Sequence, residues 1–86
     1  NLASPDAVFI GGGLSERLLS KIWKIMNPGT KMVVNAVTLE SESVLIKWYS
    51  VKGGTLSKIE IAQAKELGEK TGWRSNMPLL QWSVTK

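Results

Sequence analysis

Three consecutive glycines, Gly11-Gly12-Gly13, follow directly on the short apolar run Ala7–Ile10. Glycine turns freely through positive φ and leaves its backbone N–H groups bare. Such a turn in front of a helix N-terminus can hold an anion. The plainer alternative is a tight turn with no ligand. Asn35 is the next candidate, an amide inside the valine-rich run Lys31–Val37. Burying an amide is costly unless it is hydrogen-bonded, so Asn35 either satisfies backbone or points into a cleft. Thr38 and Glu40 follow at the same strand end, where both could hydrogen-bond a ligand. They fit helix capping and dipole matching equally well. Trp73, Arg74 and Met77 lie between Gly72 and Pro78. An aromatic and apolar wall with a guanidinium suits a flat, anionic ligand. The alternative for Trp73 is packing against a sheet edge. No residue stands out as a general base, and the sequence identifies no catalytic group.

The chain has no cysteine and no histidine. Thiolate nucleophiles, disulfides, histidine-based triads and His/Cys zinc sites are therefore excluded within it, and no metal is expected. Eleven basic and seven acidic residues give a net charge of +4. The basic residues are scattered, which reads first as a solvated surface and second as a weak pull on an acidic ligand. No apolar stretch approaches the about 20 residues that span a bilayer, so no membrane association is expected. No secretory signal is visible, and a cytoplasmic protein is expected.

These candidates need elements to position them. At 86 residues, 43% hydrophobic and 21% charged, the chain is at most one small globular domain. Ala7–Ile10 reads as a buried parallel strand delivered into the glycine turn. Ser15 caps a helix whose apolar face is Leu18, Leu19, Ile22, Ile25 and Met26, and Asn27-Pro28-Gly29 ends it. Lys31–Val37 is a second buried strand. A helix follows from Thr38 to Lys52, capped by Thr38 or Ser41, with Val44, Leu45, Trp48 and Val51 inward and Gly53-Gly54 as its stop. Leu56–Ala64 alternates as a half-buried strand. Lys65–Leu79 reads as a long loop, and Leu80–Thr85 as a last strand. The order is β-α-β-α-β-β, with the final two strands antiparallel at a sheet edge. Trp23 and Trp48, on the helices, read as core or interface residues, and Trp82, alternating with Leu80 and Val84, as packed rather than catalytic.

The fold class is thus α/β, and the layout is that of the C-terminal half of a doubly wound, Rossmann-like sheet. Ligands of such sheets sit at the carboxyl ends of the strands. The usual G-x-G-x-x-G is not in the chain, and position 1 is Asn rather than Met. A processed or cut product, with the cofactor-loop half missing, is the expectation. An open parallel edge in so short a chain also predicts an oligomer.

Four segments carry a resemblance: PDAVFIGGG (5–13), NPGTKMVVNAVTLESE (27–42), IEIAQAKELGEKTGW (59–73) and MPLLQWSVTK (77–86). Together they resemble the C-terminal domain of the precorrin-6Y C5,15-methyltransferase (decarboxylating) family, within the class I S-adenosylmethionine-dependent methyltransferases. The resemblance implies methyl transfer from S-adenosylmethionine to a carbon of a corrin-ring precursor in cobalamin biosynthesis. It also implies decarboxylation of a ring acetate side chain, with the conjugated ring as electron sink. A tetrapyrrole substrate and a homotetramer are implied as well. In that family the glycine loop faces the active-site cleft. Gly11, Gly12, Gly13, Asn35, Thr38, Glu40, Trp73, Arg74 and Met77 are then the expected substrate-binding residues. The family's acidic-x-G-x-G-x-G loop does not occur here, so the main S-adenosylmethionine site lies outside this chain and residues 1–86 alone are expected to be inactive.

The competing reading is a small basic interaction or nucleic-acid-binding module. It would need exposed aromatics interleaved with cations, and only Trp73-Arg74 offers that pattern. Nucleic acid is accordingly not expected as a partner.

Overall fold

The computed structural model describes residues 7–11 and 13–86. The first strand, β1 (Ala7–Ile10), leads through the glycine turn into helix α1 (Glu16–Ile25). Strand β2 (Lys31–Ala36) and helix α2 (Leu39–Lys52) follow. The rest is all strand: β3 (Thr55–Ile59), β4 (Ala62–Leu67), β5 (Lys70–Ser75) and β6 (Leu79–Thr85).

Four strands form one sheet in the order β1-β2-β6-β3. β1 and β2 are parallel, as a β-α-β connection requires. β6 runs antiparallel to both of its neighbours, β2 and β3. The expected antiparallel pairing of β3 with the last strand is thus present. The last strand is the inserted one, however, and β3 is left at the edge. β4 and β5 make a separate two-stranded sheet.

The helix ends follow from local chemistry. Ser15 Oγ accepts from the Leu18 N–H at 3.1 Å, and Thr38 Oγ1 accepts from the Ser41 N–H at 3.1 Å. Both are N-cap bonds to otherwise unpaired amides. Gly53 closes α2 at φ +76°, with its N–H on the Tyr49 carbonyl. Gly54 follows at φ +91°, and a Cβ there would collide with the Ser83 carbonyl oxygen. No other residue type fits that close approach of α2's exit to β6. At the same end of the core, Lys86 Nζ donates to the Met26 carbonyl at 3.0 Å and to the Trp23 carbonyl. An ammonium at a helix C-terminus meets its orphan carbonyls and its partial negative charge.

Both helices pack on the same sheet face. Met32, Val34 and Ala36 of β2 alternate inward opposite Val84, Trp82 and Leu80 of β6. Ile10, Leu19 and Leu45 join them in one buried cluster. The buried stripe of α1 is Leu19, Ile22, Trp23 and Met26, at helical spacing. Leu18 and Ile25 are exposed, which corrects the sequence-based face by a rotation toward Trp23. Val51 of α2 is likewise exposed rather than inward. Trp23, Trp48 and Trp82 form a contiguous aromatic chain, with ring centroids 6.1 and 6.3 Å apart. All three are core residues, as their spacing predicts.

The opposite sheet face is bare of helices among the described residues. Phe9 on that face is 75% exposed, and Val33, Asn35, Gln81 and Ser83 lie on the same face. Among the described residues, the outer edge of β1 pairs with no further strand.

One expectation is corrected outright. The predicted strand 56–64 is two strands, β3 and β4, with a break at Glu60-Ile61. The predicted long loop 65–79 is the second half of a hairpin. Leu67 pairs with Lys70 across the two-residue turn Gly68-Glu69, with Gly68 at φ +63°. Glycine at the first central position of a two-residue loop is a known hairpin geometry. The polar composition of the arm hides it from a search for apolar periodicity. The arm also lengthens the molecule: the radius of gyration is 16.4 Å and the long axis 58 Å. A compact chain of this length would have a radius of gyration of about 12 Å.

Candidate functional site

The carboxyl ends of β1, β2 and β3 and the start of β6 share one rim of the sheet. Each functional candidate can be placed against that rim. β1 buries Ile10 under the helices, and the chain then turns through Gly11 and Gly13, the latter at φ +74°. Leu14 is buried next, which anchors the turn, and Ser15 starts α1. Gly11 and Gly13 are thus at the rim and exposed, directly before a helix N-terminus. Gly12 lies outside the described residues.

β2 delivers Asn35, Thr38 and Glu40 to the same rim. Thr38 is the N-cap of α2, so the capping role foreseen for it is real. Its hydroxyl uses an acceptor lone pair in the cap and keeps its proton for a second partner. Glu40 lies in the first turn of α2 and is exposed, where the helix dipole favours a carboxylate. Asn35 is paired with Gln81 in the β2–β6 register. Gln81 Nε2 donates to Asn35 Oδ1 at 3.0 Å. The amide is therefore satisfied by a side chain across the strand rather than by backbone. It looks out on the helix-free face, one pair in from the rim.

Gln81 is a residue that sequence reasoning passed over. Its signal was available: a polar position between the inward Leu80 and Trp82 near a strand start. The same-face partner of Asn35 was not deducible without the register.

β6 begins beside this rim, preceded by Met77 and Pro78, and Met77 is exposed. The β4–β5 hairpin is rooted here too, since it connects the end of β3 to the start of β6. An open pocket of roughly 280 Å³ occupies the root, lined by Glu60, Ile61, Ala62, Ser75, Asn76 and Pro78. The Asn76 N–H donates to the Ile61 carbonyl at 2.8 Å and closes the base of the arm.

Trp73 and Arg74 are on β5, in the hairpin rather than in a loop. Adjacent strand residues point to opposite faces, so the two do not act on one surface. Trp73 is 78% exposed, on the face shared with Ala62 and Ala64. Arg74 lies on the other face with Lys65 and Lys70. The rim therefore gathers Gly11, Gly13, Asn35, Thr38, Glu40 and Met77, whereas Trp73 and Arg74 stand apart on the arm. The aromatic–cation interleaving needed for a nucleic-acid stacking surface is absent from either face of the described hairpin. The other exposed charges near the rim are mixed, with Glu40 and Glu60 opposing Lys58.

Comparison with known proteins gives a consistent result. A family model described as a precorrin methyltransferase domain matches residues 1–86. A precorrin-6Y C(5,15)-methyltransferase [decarboxylating] from Sinorhizobium sp is 44% identical over 86 residues, covering 99% of this chain and 21% of the relative. A protein of the same description from Mycobacterium tuberculosis is 42% identical over 85 residues, covering 98% of this chain and 22% of the relative. The crystal structure of the C-terminal domain of precorrin-6Y C5,15-methyltransferase from Rhodobacter capsulatus superposes with a TM-score of 0.89 at 49% identity. That match covers 100% of this chain and 47% of the solved one. The chain thus spans about a fifth of the curated relatives and about half of that solved domain.

Proposed function

The chain belongs to the precorrin methyltransferase domain family, and on that premise we propose that residues 1–86 are the C-terminal half of a methyltransferase domain. The whole domain transfers a methyl group from S-adenosylmethionine to a carbon of a corrin-ring precursor and decarboxylates a ring acetate, in cobalamin biosynthesis. The observation that carries this reading is the family match across all 86 residues, on a sheet that keeps its ligand-facing rim intact.

In this reading the rim forms one wall of the substrate cleft. Backbone N–H groups at Gly11, Gly12 and Gly13 meet a carboxylate of the tetrapyrrole. Thr38 donates its spare hydroxyl proton. The Asn35–Gln81 pair and Glu40 address substrate polar groups, and Met77 supplies an apolar contact. Methyl transfer from a sulfonium depends on alignment more than on acid–base help, so a site without a histidine or cysteine suits it.

The chain fits only part of the surroundings that S-adenosylmethionine needs. No acidic-x-G-x-G-x-G occurs in it, and among the described residues the edge of β1 has no partner strand. We place the main cofactor loop in the preceding half of the domain. S-adenosylmethionine supplies the methyl group there, and residues 1–86 alone are inactive.

The working unit is a homo-oligomer, a tetramer by resemblance. The support is the hairpin, because a two-stranded ribbon is at best marginal on its own in water. Its Ala62/Ala64/Trp73 face is the surface that a second copy would cover. The compartment is the cytoplasm; no helix among the described residues is long and apolar enough to cross a membrane.

The test uses the full protein that contains this chain, with S-adenosylmethionine and a precorrin substrate, followed by mass spectrometry. The expected product has gained methyl groups and lost carbon dioxide. A folded protein that binds S-adenosylmethionine but leaves the precorrin mass unchanged would overturn the reading.

A further inference from the structure

The hairpin has two unlike faces, and the register separates them. One carries Ala62, Ala64 and Trp73, with Glu66, Thr71 and Ser75. The other carries Lys65, Lys70 and Arg74, with Gln63, Leu67 and Gly72. The three cations stand on one side of a ribbon that is exposed along nearly all of its length. At about 3.4 Å per residue, Lys70 and Arg74 lie about 14 Å apart along β5. Lys65 lies across from Gly72, midway between them.

Gly72 gives this face a floor. A Cβ at that position would collide with the Leu67 side chain, so Leu67 lies across the bare glycine backbone. The result is a leucine laid over bare backbone, flanked by three positive charges. The nearby acids do not neutralise it from the same side. Glu66 points to the other face, Glu69 sits in the turn, and Glu60 is at the root.

We propose that the Lys65–Lys70–Arg74 face of the hairpin is a docking surface for the polycarboxylate tetrapyrrole that the rim then processes. The inference rests on the proposed function and names a subsite outside the rim. A flat macrocycle with peripheral carboxylates matches the Leu67–Gly72 patch with its flanking cations, and Arg74 can hold a carboxylate with two parallel hydrogen bonds. The arm is rooted beside the rim, so a substrate held there is already concentrated at the mouth of the cleft. A second copy does not fit this face, because an isologous contact would set three cations against three cations. The Trp73 face remains for assembly.

The test is a fluorescence titration of the full protein with uroporphyrin, a polycarboxylate tetrapyrrole, beside its methyl ester. The variant is Lys65→Gln/Lys70→Gln/Arg74→Gln. The control is Arg17→Gln/Lys21→Gln/Lys24→Gln, which removes equal charge from the exposed side of α1. The hairpin variant is expected to bind uroporphyrin roughly tenfold more weakly, with a flatter salt dependence. The ester is expected to bind weakly to every form. In turnover, KM for the precorrin rises by a similar factor while kcat holds. Equal uroporphyrin affinity in wild type and hairpin variant would overturn the proposal. So would equal losses in variant and control, or a loss confined to single-stranded DNA binding. A wild-type protein without methyl transfer, whose uroporphyrin binding still follows the hairpin charges, would sink the proposed reaction and leave the docking surface standing.

Discussion

The indole Nε1 of Trp82 donates a 2.7 Å hydrogen bond to the carbonyl oxygen of Gly53. Trp82 is fully buried on β6, the inserted strand, and Gly53 is the C-cap of α2. The bond satisfies a carbonyl that the end of a helix leaves without a partner. It also fixes the height of α2 over the sheet, and with it the position of Thr38 at the other end of the same helix. A strand near the chain's end therefore completes a core begun by strands and helices much earlier in sequence. The rim inherits its geometry from that closure.

The first prediction separates the two roles of Trp82. Trp82→Phe keeps most of the buried apolar surface and loses the donor, leaving the Gly53 carbonyl unsatisfied at a cost of about 1–3 kcal/mol. Trp82→Ala also opens a cavity and is expected to cost about 3–5 kcal/mol. Urea unfolding of the full domain measures both. No loss in Trp82→Phe would mean that the hydrogen bond adds nothing to packing, and equal losses in the two variants would mean that packing adds nothing to the bond.

Much of this layout was legible in the sequence, and the exceptions share a cause. β1, β2 and both helices announce themselves through apolar runs, helical spacing, and the caps Ser15 and Thr38. β6 alternates cleanly through Leu80, Trp82 and Val84. The hairpin does not, because neither of its faces meets the core. Alternation marks burial, and where nothing is buried the signal fades. Only Gly68-Glu69 between two strand-length runs pointed to a turn. The rim followed from the strand order, since ligands of such sheets sit at carboxyl ends. The partner of Asn35 did not follow, because it depends on the β2–β6 register, and two antiparallel strands 46 positions apart leave that register unstated.

The second prediction concerns that pair. Asn35 and Gln81 hydrogen-bond each other on the helix-free face, where neither helps to pack the Trp82 core. A double-mutant cycle with Asn35→Ala and Gln81→Ala should give a coupling energy of about 0.5–1.5 kcal/mol in stability, as for a single neutral hydrogen bond. If the pair also lines the substrate cleft, each single variant raises KM for the precorrin several-fold beyond any loss of folded protein. Steady-state kinetics on samples corrected for folded fraction decides this. Unchanged KM in both would make the pair a structural tie only.

The last prediction concerns Trp73. A tryptophan 78% exposed on a ribbon leaves a large apolar surface in water. Removing such surface from water contributes about 25 cal/mol per Å², and tryptophan is among the side chains that dominate interfaces. Ala62 and Ala64 beside it are small enough to let a partner's backbone or ring approach closely. Trp73→Glu should therefore shift the protein toward smaller species in size-exclusion chromatography with light scattering, with the dissociation constant weakened roughly thirtyfold or more. The Arg74 face points the other way, so Arg74→Gln should leave the assembly unchanged. If Trp73→Glu keeps the wild-type mass, assembly does not run through the hairpin. If Arg74→Gln dissociates the protein as well, the two faces are not the separate surfaces that the β4–β5 register makes them.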